Sequence, residues 1–126
     1  MYEISTEANF SAAHHLVNYN GPCENVHGHN WLVKVTVRCT ELDPVGIGID
    51  FKSLKHALKD VLEQLDHADL NEVFIKLGIN PSSENIASYI YQRLQLTINN
   101  RTCRVHRVEV AETPGNSAVY FEDDHA

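Results

Sequence analysis

The sequence predicts an α+β domain, an antiparallel four-stranded sheet with two helices on one face. Three observations predict it. Apolar residues alternate with period two near both ends of the chain and recur at helical spacing in the middle. The elements run strand, strand, helix, helix, strand, strand, the segregated order of an α+β fold. The length of 126 residues suits one domain, 1–126, and a hydrophobic fraction of 43% supports a core without staples.

The first strand rests on Tyr2, Ile4, Thr6, Ala8, Phe10 and Ala12, which share one parity. Residues 18–22, rich in Asn and Gly and ending in Pro, read as a loop. Trp31, Val33, Val35, Val37 and Cys39 alternate again and give the second strand, and Asp43-Pro44-Val45-Gly46 supplies a turn. Asp50 is the N-cap of a first helix whose apolar residues are Phe51, Leu54, Leu58, Val61, Leu62 and Leu65. Residues 70–81 read as a loop. A second helix starts near Ser82 or Ser83, with Ile86, Tyr89, Ile90 and Leu94 as its stripe. Two last strands are expected over about 104–112 and 118–121. Two helices cover one sheet face, so the sheet edges and the other face call for self-association.

A net charge of −7 argues against bulk nucleic-acid binding, which depends on neutralising phosphates with Lys and Arg. No apolar run has the length of a bilayer span, and the N-terminus lacks the basic-then-apolar pattern of a secretory signal. Three cysteines, an odd number, do not suggest a disulfide framework. A reducing, cytoplasmic setting is therefore expected, without a membrane partner.

Residues 23–29 read Cys-Glu-Asn-Val-His-Gly-His. His27 and His29 are two apart, so on a strand both imidazoles leave the same face, with Gly28 on the other face leaving the backbone open to close approach. Two imidazoles make two legs of a tetrahedral site. His14 and His15 compete for the third, His14 having the parity of Phe10 and Ala12. Three protein ligands and an open position describe a catalytic zinc site. Cys39 and Cys103 fall within strands and are expected to be buried thiols.

With these residues in view, Phe10-Ser11-Ala12-Ala13-His14 and Cys23-x-x-x-His27-Gly28-His29-Asn30 resemble the pterin synthases of the tunnelling fold, the family of 6-pyruvoyltetrahydropterin synthase and its bacterial 6-carboxytetrahydropterin relatives. The resemblance continues through Gly48-Ile49-Asp50-Phe51, Leu65-Asp66-His67-x-x-Leu70-Asn71, residues 80–87 (Asn-Pro-Ser-Ser-Glu-Asn-Ile-Ala) and Val110-Ala111-Glu112-Thr113. It implies Zn2+ on His14, His27 and His29, and 7,8-dihydroneopterin triphosphate as substrate. Cys23 resembles the catalytic cysteine, acting as a base, and Asp66 and His67 the groups that tune it and relay its proton. Glu112 resembles the carboxylate that anchors the pterin edge, and Ser83 a hydroxyl of the pterin pocket. Lys34, Lys52, Arg104 and Arg107 are open candidates for the triphosphate.

Within the family, three residues between the cysteine and His-Gly-His, as here, mark the carboxy branch, against five in the pyruvoyl branch. The resemblance therefore implies 6-carboxytetrahydropterin, acetaldehyde and triphosphate as products, toward queuosine. Glu24, next to Cys23, resembles the glutamate of a side branch that makes 6-hydroxymethyldihydropterin. Trp31 replaces the usual Phe or Tyr. A homohexamer of two stacked trimers, its sheets joined into a barrel, is the implied assembly.

Overall fold

The computed structural model describes residues 1–17 and 25–122. Two thirteen-residue strands, β1 (Tyr2–His14) and β2 (His27–Cys39), pair antiparallel along their whole length, from Tyr2 opposite Cys39 to His14 opposite His27. β3 (Cys103–Thr113) lies on the other side of β2, and β4 (Asn116–Phe121) follows it, so the sheet order is β1-β2-β3-β4. Both later strands extend slightly beyond the expected bounds.

The helices are α1 (Phe51–Leu62), α2 (Leu70–Ile75) and α3 (Ser83–Ile98). Asp50 caps α1 as expected, its carboxylate accepting from the Ser53 N–H at 3.1 Å. Ser82, not Ser83, caps α3, accepting from the Asn85 N–H. Leu54, Leu58 and Leu62 of α1 and Ile86, Ile90 and Leu94 of α3 join Phe10, Trp31, Val33 and Val108 in one buried cluster.

Three expectations need correction. The segment 70–81 is not all loop, and the helices number three among the described residues. Asp69 caps α2 by accepting from the Asn71 N–H, and Leu70 and Phe74, four apart, are both buried. So short a stripe carries little periodic signal, and burial rather than propensity sustains so short a helix. Regular α1 stops at Leu62, although Leu65 remains fully buried in the turn that follows. Phe51, counted on the apolar stripe of α1, is 67% exposed.

Three departures from regular pairing bear on the site, one of them the β3–β4 shift that leaves Glu112 an extra residue between Ala111 and Thr113. The β2–β3 register shifts so that Thr36 faces Arg107 while Val37 faces Val105, which makes His106 an extra residue in β3. Cys103 and Val105 face the core before this bulge, and Val108 and Val110 face it afterwards. The third departure lies at the outer edge of β1. There the Ala13 N–H donates to the Ala68 carbonyl, the His67 N–H donates to the Ser11 carbonyl, and Ala13 bridges to Asp69 in parallel. Residues 66–69 thus run along the edge strand.

Cys39 and Cys103 are cross-strand partners and buried thiols, as expected. Burial and the neighbouring Cys103 push the Cys39 thiol well above its ordinary pKa. Gly48 packs against this pair: a Cβ there would stand 3.0 Å from the Cβ and Sγ of Cys39. Among the described residues no helix is long and apolar enough to cross a membrane.

Candidate metal centre

His14 and His27 are direct partners on the last rung of β1–β2, and His29 lies two residues along β2, opposite Ala12. All three rings stand on the face shared by Phe10, Ala12 and Trp31. The small side chain of Ala12 leaves room between them. Trp31 forms the floor: it is fully buried, donates its indole N–H to the Ala12 carbonyl at 3.2 Å, and meets His14 edge-on at 4.8 Å. Glu112 reaches the same face from β3, with the parity of Val108 and Val110 beyond the bulge.

Ligand atoms from His14, His27, His29 and Glu112 all lie within 4.8 Å of one another. Glu112 Oε1 is 2.7 Å from His14 Nε2, 3.0 Å from His29 Nε2 and 3.5 Å from His27 Nε2. The two remote nitrogens of the histidine pair are already committed. His14 Nδ1 donates to the Pro81 carbonyl and His27 Nδ1 to the Asn25 carbonyl, each at 2.7 Å. In the neutral rings this leaves both Nε2 atoms as bare lone pairs, and they face each other at 3.1 Å. Two lone pairs at that distance need a cation or a proton between them. His29 Nε2 is buried and makes no hydrogen bond among the described residues, although the carboxylate oxygen stands close by. Its nitrogen is near that oxygen without being aligned with it. An orphaned imidazole, a facing pair of lone pairs and one carboxylate suit a divalent N/O metal such as zinc.

The electrostatics follow from this crowding. Burial pulls the His29 pKa down, outweighing the attraction of Glu112. Burial would raise Glu112, but where a proton rather than a cation sits on His14 Nε2 it is shared with the carboxylate, and this hydrogen bond with the nearby imidazoles holds the carboxyl below the ordinary value. The carboxylate form therefore prevails at neutral pH.

His15 has the opposite parity and stays outside the cluster. Its backbone is clamped by Asn71, whose side chain accepts from the His15 N–H and donates to the His15 carbonyl. Asn80 treats Val17 in the same way, at 3.0 and 2.9 Å. With Pro81 holding His14, these contacts fix the end of β1 against the first turn of α2 and the loop before α3. Sequence reasoning assigned no role to Asn71, Asn80, Pro81 or Asn25. Asn71 in the first turn of α2 and Asn80 just after it were a signal, because an amide side chain can pair with a backbone as another strand would.

Asp66 and His67 are not in the cluster. They sit on the segment along the β1 edge, with His67 83% exposed and in the left-handed region at φ 58°. Their side chains do touch, His67 Nδ1 lying 3.1 Å from Asp66 Oδ2, a pairing not expected of sequence neighbours. The Ser11 N–H donates to Asp66 Oδ1 at 2.9 Å. That bond, aided by the charge of His67, keeps the Asp66 carboxyl below its ordinary pKa despite slight desolvation. Ser83 opens α3, two residues beyond Pro81. A Cβ at Gly28 would meet open space, so the close approach expected there does not occur. Lys34, Lys52, Arg104 and Arg107 are all exposed. Cys23 and Glu24 lie outside the described residues.

A family model described as 6-pyruvoyl tetrahydropterin synthase matches residues 3–123. The chain belongs to the 6-pyruvoyl tetrahydropterin synthase family. Among relatives, it is 35% identical to a 6-carboxy-5,6,7,8-tetrahydropterin synthase of Synechocystis, covering 96% of this chain and 94% of that one. It is 32% identical to the 6-pyruvoyl tetrahydrobiopterin synthase of Homo sapiens, over 94% and 90% of the two chains. Its fold is similar to that of the family member from Caenorhabditis elegans, at a TM-score of 0.81 and 29% identity, with 97% and 96% of the chains covered. The matched range takes in the sheet from Glu3 onward and all of the site residues just described.

Proposed function

We propose that the protein is a zinc-dependent lyase converting 7,8-dihydroneopterin triphosphate and one water to 6-carboxy-5,6,7,8-tetrahydropterin, with release of acetaldehyde and triphosphate. The observation that carries this reading is the convergence of three imidazoles and a carboxylate on one point at the end of β1–β2. The three-residue spacing from Cys23 to His27 favours the carboxy branch. Identity alone does not divide the branches, since relatives named for either product are similarly close.

In this reading His14, His27 and His29 hold the ion. Zinc, when bound, supplies a Lewis acid that lowers the pKa of hydroxyl groups on the substrate side chain. Cys23 takes the proton released from that side chain, and the Asp66–His67 pair tunes and relays it. Asp66 suits this task because the Ser11 N–H keeps it ionised, able to stabilise a protonated imidazole beside it. Glu112 accepts from the amino group and ring N–H of the pterin, two donors side by side that match a carboxylate. Ser83 lines the pterin pocket near Pro81.

The exposed Asp66–His67 pair and the outer edge of β4 support a site completed between copies, in a closed homohexamer whose sheets join as a barrel. A cytoplasmic setting and a place in queuosine synthesis go with this reading. The test is incubation of the zinc-loaded protein with dihydroneopterin triphosphate and identification of the pterin by mass. 6-Carboxytetrahydropterin with one acetaldehyde per turnover is expected. 6-Pyruvoyltetrahydropterin as sole product would assign the chain to the other branch, and 6-hydroxymethyldihydropterin lost in a Glu24→Ala variant would assign the chemistry to Glu24.

A further inference from the structure

We infer that Glu112 is the fourth ligand of the metal in the substrate-free protein, and that it leaves the metal when a substrate enters. This rests on the metal site proposed above and adds to it a residue first read only as a pterin anchor.

The distances carry the inference. Zinc binds nitrogen and oxygen at about 2.0–2.2 Å, so the ligand atoms of a regular tetrahedron stand roughly 3.3–3.5 Å apart. His14 Nε2 and His27 Nε2 are 3.1 Å apart, and Glu112 Oε1 stands 2.7, 3.0 and 3.5 Å from the three imidazole nitrogens. The oxygen is therefore close enough to all three nitrogens to share one ion with them, in a cluster somewhat tighter than a regular zinc tetrahedron. A carboxylate held only for the pterin edge would have no need to approach all three nitrogens. The misalignment of His29 Nε2 with Oε1 points the same way: ligands aim at a common centre and not at each other. Glu112 is also about a quarter exposed, so it has room to turn away, unlike the buried His14.

Three neutral imidazoles leave the full double charge of zinc uncompensated, and a fourth, anionic ligand halves it. A substrate hydroxyl taking this position frees the carboxylate beside the reacting molecule, where it can accept from the pterin. The same residue would then serve the resting metal and the bound substrate in turn.

The test uses the full chain loaded with zinc or with Co2+ as a spectroscopic probe, comparing wild type, Glu112→Gln and His14→Ala. Glu112→Gln is nearly isosteric, and circular dichroism checks its fold. The expected result is a zinc affinity lowered by about tenfold or more in Glu112→Gln. Its Co2+ absorption should be altered, and wild type should change in the same direction when 7,8-dihydroneopterin is added. Unchanged zinc affinity and an unchanged Co2+ spectrum in Glu112→Gln would overturn the inference and leave Glu112 as a pterin contact alone. Full metal retention by His14→Ala would instead overturn the metal site itself.

Discussion

His14 and His27 oppose each other on the last rung of β1–β2, their Nε2 atoms 3.1 Å apart, while each commits its Nδ1–H to a backbone carbonyl. The arrangement orients two imidazoles and fixes their tautomers before any ion arrives. It also makes the site costly to leave empty, because the lone pairs and the adjacent carboxylate are held close whether or not a cation joins them.

Removal of metal should therefore destabilise the fold. At free zinc a hundredfold above Kd, binding contributes about 2.7 kcal/mol, which in a domain of this size corresponds to a melting-temperature rise on the order of 10 °C. Calorimetry of the chelated and the reloaded protein measures it. Identical melting curves would mean that no ion binds the native state.

The choice between neighbouring histidines is also testable. His14 is 2% exposed and faces the cluster, whereas His15 faces away. His14→Ala should lose stoichiometric zinc and His15→Ala should keep it, as read by elemental analysis after gel filtration. The reverse result would exchange the two assignments.

Cys23→Ala should retain zinc and melt as wild type does, yet lose activity by about a hundredfold or more, because it removes a proton-transfer group and no ligand. Turnover at the wild-type rate would end the role given to Cys23.

Trp31 meets two of the imidazoles edge-on, His14 at 4.8 Å and His29 at 5.5 Å. Trp31→Ala should cost about 3–5 kcal/mol, the usual range for deleting a large buried aromatic, and should lower zinc affinity as the floor collapses. Trp31→Phe keeps most of the volume and loses only the hydrogen bond to the Ala12 carbonyl, so it should be the milder change by urea denaturation. Equal midpoints for the two variants would show that the packing of Trp31 contributes little.

Asp66 gives a pH dependence with a definite sign. Its folded-state pKa lies below the unfolded value, so its contribution is fully present above the unfolded pKa and lost as pH falls through the folded one. The stability difference between wild type and Asp66→Asn should be constant near neutral pH and close in the acid range, below the ordinary Asp pKa. Urea midpoints against pH read this directly. A difference that persists at the acid end would place the effect in packing.

Much of this was legible in the residues themselves. Strict alternation placed β1 and β2. His14 shares the parity of Phe10 and Ala12, but parity left His15 open at a strand end that can twist, and it was the family resemblance that assigned His14. Asp50 and Ser82 announced their caps through side-chain chemistry that needs no tertiary context. What escaped depended on contacts distant in sequence. The short α2 is sustained by the burial of Leu70 and Phe74, and a two-residue stripe has no period to detect. The link from Asp66 to Ser11 spans 55 positions. Glu112 was legible as a site residue, but its approach to the imidazoles was not, because alternation counted from Val105 would put it on the outer face.

That last point has a consequence for how β3 tolerates change. The strand carries two reading frames: up to Val105 its odd positions point inward, and past His106 its even ones do. A one-residue deletion at the bulge would merge the frames and leave Val108, Val110 and Glu112 facing inward, whereas one at residues 107–111 would shift the second frame alone and rotate Glu112 outward while Cys103 and Val105 kept their places. The molecule would then retain half of its strand packing and lose the carboxylate from its histidine cluster. Length in this strand is therefore as much a functional trait as any side chain it carries, and two chains with the same residues around the histidines can differ in chemistry through a single insertion fifteen or so ångströms away.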